Sequence, residues 1–270
     1  MTTLTYVERI DAWRKENPDK RLTFDLLLEI CDAKDLRDAD LRGANLWHAN
    51  LRHADLKDAN LTGANLTGAN LRDANLTGAY LATADLTDAD LWGADLTDAN
   101  LWGANLTDAD LRDADLTGAN LTGANLRDAN LTDANLTGAN LTGANLRHAD
   151  LTGADLTDAN LRGANLTGAN LAGANLWGAY WNGLQITGLP SGQIVLTPTP
   201  DGWELRVGCW TGTIDDLRTL IAQDDDWPEA NGEEVTRRRP GLQAVLNLID
   251  AHTALYPILI EELKERWGEK

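Results

Sequence analysis

Leucine occupies every fifth position from Leu36 to Leu176, 29 residues in unbroken register, and alanine precedes all but the first of them by two places. A period of five fits neither a helix, at about 3.6 residues per turn, nor a strand, at about 2, so no single regular element carries the tract. Each five-residue unit must turn a corner. A unit that small buries its apolar residues only by stacking on copies of itself, which makes the tract a solenoid. In such an architecture the core is generic, and specificity lies in what decorates the outside.

From Asp35 to Tyr180 the pattern is Ala-(Asp/Asn)-Leu-x-x, as in Gly43-Ala44-Asn45-Leu46-Trp47 and Thr117-Gly118-Ala119-Asn120-Leu121. This resembles the pentapeptide-repeat family, whose motif is A(D/N)LXX, over 146 of the 270 residues. The resemblance implies a mainly β fold: a right-handed quadrilateral β-helix, four pentapeptides per coil, with Leu and Ala inward and the other three positions outward. Leu and Ala then supply a large-and-small core layer, while Asp, Asn and Gly suit the corners. At 20 residues per coil the repeat makes roughly 7 coils, a rod about 35 Å long at the spacing of stacked strands.

The flanks divide the chain into residues 1–34, 35–180 and 181–270. In the first, Tyr6, Ile10 and Trp13 fall at helical spacing before Asn17-Pro18, and a second helix runs from Leu22 to Cys31 with Thr23 as N-cap and Asp25 in its first turn. These helices are expected to cover the open first coil. Beyond Tyr180, strands are expected at 193–197 and 203–207 around a turn at Pro198 to Gly202, then a helix from Thr213 to Ala222. A helical stretch from Gly241 to Trp267, kinked or divided at Pro257, completes a small α+β cap.

The net charge of −19 argues against a phosphate backbone as a direct partner, which needs clustered Lys and Arg, and favours solubility and basic partners. Cys31 and Cys209 are far apart and belong to no CxxC pattern. Neither a signal-peptide pattern nor an 18-residue apolar run occurs, so a cytoplasmic location without membrane spanning is expected.

If four pentapeptides make a coil, residues 20 apart lie one above the other. One face then carries Asp35, Asp55, Asp95, Asp115 and Asp155 before its leucines, with Asp38, Asp58, Asp98 and Asp158 two places after them. Charge along the axis is uneven. Between residues 85 and 115 there are nine aspartates, Asp85, Asp88, Asp90, Asp95, Asp98, Asp108, Asp110, Asp113 and Asp115, against the single cation Arg112. Two readings stand side by side. Asp at these corners satisfies turn geometry and protects a repetitive β structure from aggregation; yet Asn would serve most of the turns without the repulsion.

The aromatic positions have their own columns. Arg52, Arg72, Trp92 and Arg112 align, so Trp92 is expected between two guanidinium groups. Tyr80 and Trp102 share a face in adjacent coils above Ala82, where packing is the favoured reading and an exposed partner anchor the other. Trp177 and Trp181 are expected to bury against the C-terminal cap. The run Arg237 to Arg239 is read as pairing with the acidic rod or with a partner, the former being favoured.

No catalytic constellation emerges. His48 and His53 fall on neighbouring faces with no third ligand, the glycines form no phosphate loop, and carboxylates on a convex surface have no cleft to tune them. Neither metal nor cofactor is expected, and the chain is read as a binding protein, not an enzyme. Some members of the family it resembles are acidic rods that bind DNA gyrase in place of DNA. That resemblance implies an acidic β-helix engaging the basic groove of a DNA-binding protein, in a bacterial or phage setting, with the aspartates of the belt as contacts. The alternative is an assembly element in which the rod is a rigid spacer and residues 181–270 bind. The apolar residues Leu242, Val245, Leu246, Ile249, Leu255, Ile258, Leu259 and Leu263 are expected to pack on the last coil, to form the two-fold interface of a homodimer, or to divide between the two.

Overall fold

The computed structural model describes residues 4–31, 35–180, 184–189, 192–207, 210–223, 242–243, 245–247, 249–250, 252–254, 256 and 258–267. Two compact units emerge: residues 1–164 with 168–180, and 165–167 with 181–270.

In the first unit, parallel bridges join residues 20 apart, from Asp40 with Asn60 to Asn160 with Tyr180. A circuit therefore takes four pentapeptides, and the four Asp/Asn positions of each circuit stack into four columns, one per edge. Each edge is too short for a strand, so the sheet is reduced to one bridging residue per pentapeptide. The backbone donors of a single unit show why this suffices. In Ala84-Asp85-Leu86-Thr87-Asp88, Asp85 N–H donates back to Ala64 O (2.9 Å), while Leu86 and Asp88 donate forward to Asn105 O (2.7 Å) and Thr107 O (3.0 Å). Ala84 N–H closes a turn onto Leu81 O (3.0 Å), and Thr87 N–H is accepted by the Asp85 carboxylate (3.1 Å). All five N–H groups are satisfied, the last only because the residue before Leu carries a side-chain oxygen.

Inside the coil, Leu36 to Leu176 and Ala39 to Ala174 are each at most 6% exposed. Outside, the position two after every leucine holds a positive φ, filled by 15 glycines, ten aspartates, three histidines and Thr83. Only Thr83, at φ 55°, is β-branched, and such a residue is strained in the left-handed region. Thr83→Asn is expected to raise stability by about 1 kcal/mol, read from the denaturant midpoint at unchanged slope.

Helix α1 (Tyr6–Glu16) opens with a capping box between Thr5 and Glu8, and α2 (Phe24–Cys31) with Thr23 Oγ1 accepting from Leu26 N–H (3.2 Å). The inward face of α1 is Ile10 and Arg14, with Tyr6 and Trp13 only half-buried. Arg14 is 8% exposed, and its guanidinium donates to the carbonyls of Lys20 (3.1 Å), Asn45 (3.3 Å) and Trp47. Thr23 bridges Asn50, whose N–H donates to Leu22 O (2.6 Å), so the segment between the helices adds a rung to the coil. Burial pushes the Cys31 thiol up to about 11.

The second unit is an antiparallel meander of β1 (Leu184–Leu189), β2 (Gly192–Thr199), β3 (Gly202–Val207) and β4 (Trp210–Thr213), in that order. The turn between β2 and β3 is only Pro200-Asp201; Pro198, expected in the turn, pairs with Trp203 beyond the last residue that β1 reaches, Leu196. Helix α3 (Ile214–Ala222) carries the Thr213 cap, boxed by Asp216. Leu217, Leu220 and Ile221 of α3 pack with Ile194, Leu196, Leu205, Leu242, Val245, Leu246 and Ile249. Leu242, Val245, Leu246 and Ile249 therefore serve this unit's own core. Helix α4 (Leu259–Trp267) packs on β2 and buries Leu259 and Leu263, while Ile258 stays exposed. Leu255, Pro257, Cys209 and Arg237 to Arg239 lie outside the described residues.

Candidate protein-binding surface

The nine aspartates of the belt fall into two structural classes. Asp85, Asp90, Asp95, Asp110 and Asp115 precede a leucine, and each accepts the N–H two residues on, at 3.0–3.3 Å. Asp88, Asp98, Asp108 and Asp113 sit in the left-handed corner position, where the backbone needs nothing from the carboxylate.

Partners divide them further. Asp90 lies 3.4 Å from Arg72, and Asp110 is gripped by Arg112 Nε (2.8 Å) and Nη2 (2.6 Å). Asp85 accepts from Thr87 and from Asn105 Nδ2 (3.3 Å) one coil on, and Asp95 from Thr77 Oγ1 (3.0 Å). Asp113 takes the Trp92 indole N–H (2.9 Å). Asp88, Asp98 and Asp108 are exposed, and among the described residues none of the three carboxylates accepts a hydrogen bond or forms an ion pair. Asp98 leans over Gly118, whose missing Cβ would lie 2.5 Å from Asp98 Oδ1. Asp88 has no such shelf, because Asp108 stands in the corner above it and Asp128 above that. Three exposed carboxylates thus stack at successive coils, about 4.8 Å apart.

The Trp92 column corrects the expected sandwich. Arg72 covers the ring at 4.5 Å, but Arg112 turns away to Asp110, where a forked charge-assisted pair outweighs a second cation–π contact. Tyr80 and Trp102 do share one edge, Tyr80 being bridged to Asn100. Both rings are 52% exposed, and no ring pair joins them among the described residues. Between Arg42 and Arg162 their edge carries no charged side chain, so the belt wraps three edges and leaves the aromatic edge neutral. Trp177 is 71% exposed, not buried; as the residue after a leucine it points outward. Trp181 lies outside the described residues.

Three belt carboxylates are held below the usual range. At Asp85 and Asp95 burial pushes upward, but the bonds from Thr87, Thr67 and Asn105, and from Thr97 and Thr77, outweigh it; at Asp110 the Arg112 hydrogen bond leads. A lowered folded-state value stabilises the protein above the unfolded carboxylate value near about 3.9, and that contribution is lost as pH falls through the lower folded value. The Asp85→Asn, Asp95→Asn, Asp110→Asn triple variant, which keeps an Oδ1 acceptor, is therefore expected to show a flatter decline of Tm below about pH 4 than the parent.

Among the described residues no group of three His, Cys, Asp or Glu is placed to hold a metal ion, and no helix is long and apolar enough to cross a membrane.

A one-bridge-per-edge coil with a Leu–Ala core and an outward surface of turn residues defines a β-helical scaffold. The pentapeptide-repeat family profile matches in eight copies over residues 35–73, 64–103, 74–113, 104–143 and 139–178. The chain belongs to the pentapeptide-repeat family, whose members are right-handed quadrilateral β-helices and in general structural or interaction scaffolds. Among solved structures it is similar to HetL of Nostoc sp. strain PCC 7120, a pentapeptide-repeat protein involved in heterocyst differentiation regulation. Identity is 39% over 62% of this chain and 74% of that one, with a TM-score of 0.39. Rfr23 of Cyanothece 51142 is 33% identical over 45% and 86% (TM-score 0.34). QnrB1, a plasmid-mediated fluoroquinolone resistance protein, is 20% identical over 53% and 82% (TM-score 0.40). No curated protein matches.

Proposed function

We propose that this is a non-enzymatic, cytoplasmic binding protein of bacterial or phage origin whose acidic β-helix mimics nucleic acid and occupies the basic groove of a DNA-handling protein, DNA gyrase being the first to test. The observation that supports this reading is the set of exposed carboxylates of Asp88, Asp98 and Asp108, which have no side-chain partner among the described residues and which the fold does not use; Asp128, next in the Asp88 column, is paired with Arg127 (3.5 Å). Nine Asp against one Arg between residues 85 and 115 span about one and a half coils. That is about one net charge per ångström of axis, denser than the one per about 1.7 Å of duplex DNA. A rigid rod presents these charges without an ordering penalty.

The test is direct binding to purified gyrase at several salt concentrations, with the parent and with Asp88→Asn, Asp98→Asn, Asp108→Asn. Asn tolerates the left-handed corner, so the variant keeps its fold. Expected is affinity that falls with salt and drops at least about tenfold in the variant. Absence of binding removes gyrase. If the neutralised protein still retains the parent's partners from bacterial lysate, the mimicry itself is wrong.

A second reading rests on the separate core of residues 181–270. There the rod is a spacer, and the second unit binds a partner or a second copy. Grafting that unit onto an unrelated carrier, with sedimentation at several concentrations, decides between the readings.

A further inference from the structure

A cleft of about 360 Å³ lies where the α1–α2 connection meets the third corner of the repeat, lined by Arg14, Asp19, Lys20, Arg21, Trp47, His48 and Gly68. Its charge runs against that of the chain. Three cations and a histidine face one carboxylate, in a protein of net charge −19. Arg14 is buried, and the acceptors of its guanidinium are neutral carbonyls, so its charge is solvated but not cancelled. Among the described residues, Lys20 and Arg21 make no ion pair. The C-terminal end of α1 adds only a partial negative charge beside them, and Asn17 caps Trp13 O through both its N–H (2.9 Å) and its side-chain amide (3.0 Å).

One wall is aromatic. Trp47 is 41% exposed and its ring centroid lies 4.2 Å from that of His48. His48 Nδ1 lies 3.3 Å from Gly68 O, and because a carbonyl only accepts, that nitrogen is the donor. An indole face beside uncompensated cations, in a volume suited to small molecules, selects a flat ring bearing negative charge. A macromolecular groove would need far more surface than these residues provide.

We propose that this cleft binds a small organic anion with an aromatic ring, of the size of a nucleoside monophosphate: the ring lies against Trp47, and the anionic group meets Lys20 and Arg21. The acidic belt begins one coil beyond Gly68, where Asp88 follows His48 and Gly68 in the same corner column.

The experiment is calorimetric titration of the full chain with AMP, adenosine and inorganic phosphate. Saturable binding of AMP near one per chain is expected, weakening as salt rises, with adenosine and phosphate each at least about tenfold weaker. Lys20→Ser with Arg21→Ser should lower AMP affinity about tenfold at an unchanged circular dichroism spectrum, and Trp47→Leu should weaken AMP but not phosphate. No saturable AMP binding at millimolar concentration overturns the proposal. So does AMP binding that the double variant leaves intact. A third result would also sink it: self-association of the parent lost in the double variant, with AMP inert, because the cations would then serve the carboxylates of a second copy.

Discussion

Leu106→Ala is expected to cost about 4 kcal/mol, near the upper end for a buried leucine. The side chain is fully buried, and the coils above and below it are pinned. Leu106 N–H donates to Asn125 O (2.7 Å), and its neighbours donate onward at the same spacing, so the backbone cannot sink into the space left behind. The flanking core positions are alanines, already too small to fill it. Because each coil is stabilised chiefly by its two neighbours, the damage is local in origin but sits at a mid-rod interface. The unfolding curve should lose its single transition, the segments either side of residue 106 melting separately. Leu171→Ala, near the end of the repeat, should cost less and leave the curve a single step. Equal losses at the two positions, measured by denaturant titration with circular dichroism, would contradict a stability built from coil-to-coil contacts.

The second large effect concerns Arg14. Replacement by Met keeps the length and apolar stem but leaves the carbonyls of Lys20, Asn45 and Trp47 without their donor. Charged hydrogen bonds contribute about 1.5–3 kcal/mol each, and these three share one group, so a loss of about 3 kcal/mol is expected. It should be confined to the start of the chain. Hydrogen exchange at Asn50, whose amide donates to Leu22 O, should accelerate strongly, while exchange at Asn120 and beyond stays unchanged. Arg14→Lys should fall between the two, because an ammonium cannot reach three carbonyls set in a fork. If α1 and Asn50 keep their protection in the Met variant, the guanidinium is not what ties the helix to the coil.

Much of the repeat is legible because its period, core and corners say the same thing at each of 29 leucines. Column positions followed from that period. Tyr80 and Trp102 do lie on one edge, and Asp95 does stack on Asp115. What failed was the choice among neighbours. Arg112 could reach Trp92 or Asp110, and the carboxylate won by geometry that spacing does not express. Arg14 was unreadable for a related reason: a charged residue on a helix is usually solvated, and its burial is tolerable because backbone carbonyls accept from it, two of them in a segment some thirty residues away. In the second unit, β2, β3 and the Thr213 cap were visible through turn and capping residues. The flanking strands β1 and β4 were not; β4 is only four residues long, and β1 carries Gly188 within it.

Local chemistry repeated along the chain was enough to specify the coil, since nearly every pentapeptide meets like neighbours 20 residues away and its donors find the same kinds of acceptor, Tyr80 being an exception at the position before leucine. Which carboxylates of that coil stay unpaired, which arginine turns inward, and where cations gather around Trp47 depend on residues that occur once. Their partners come from other coils or other elements, and several compete for each. That competition is resolved only when the chain is folded, because its outcome rests on distances between groups that have no fixed separation in sequence.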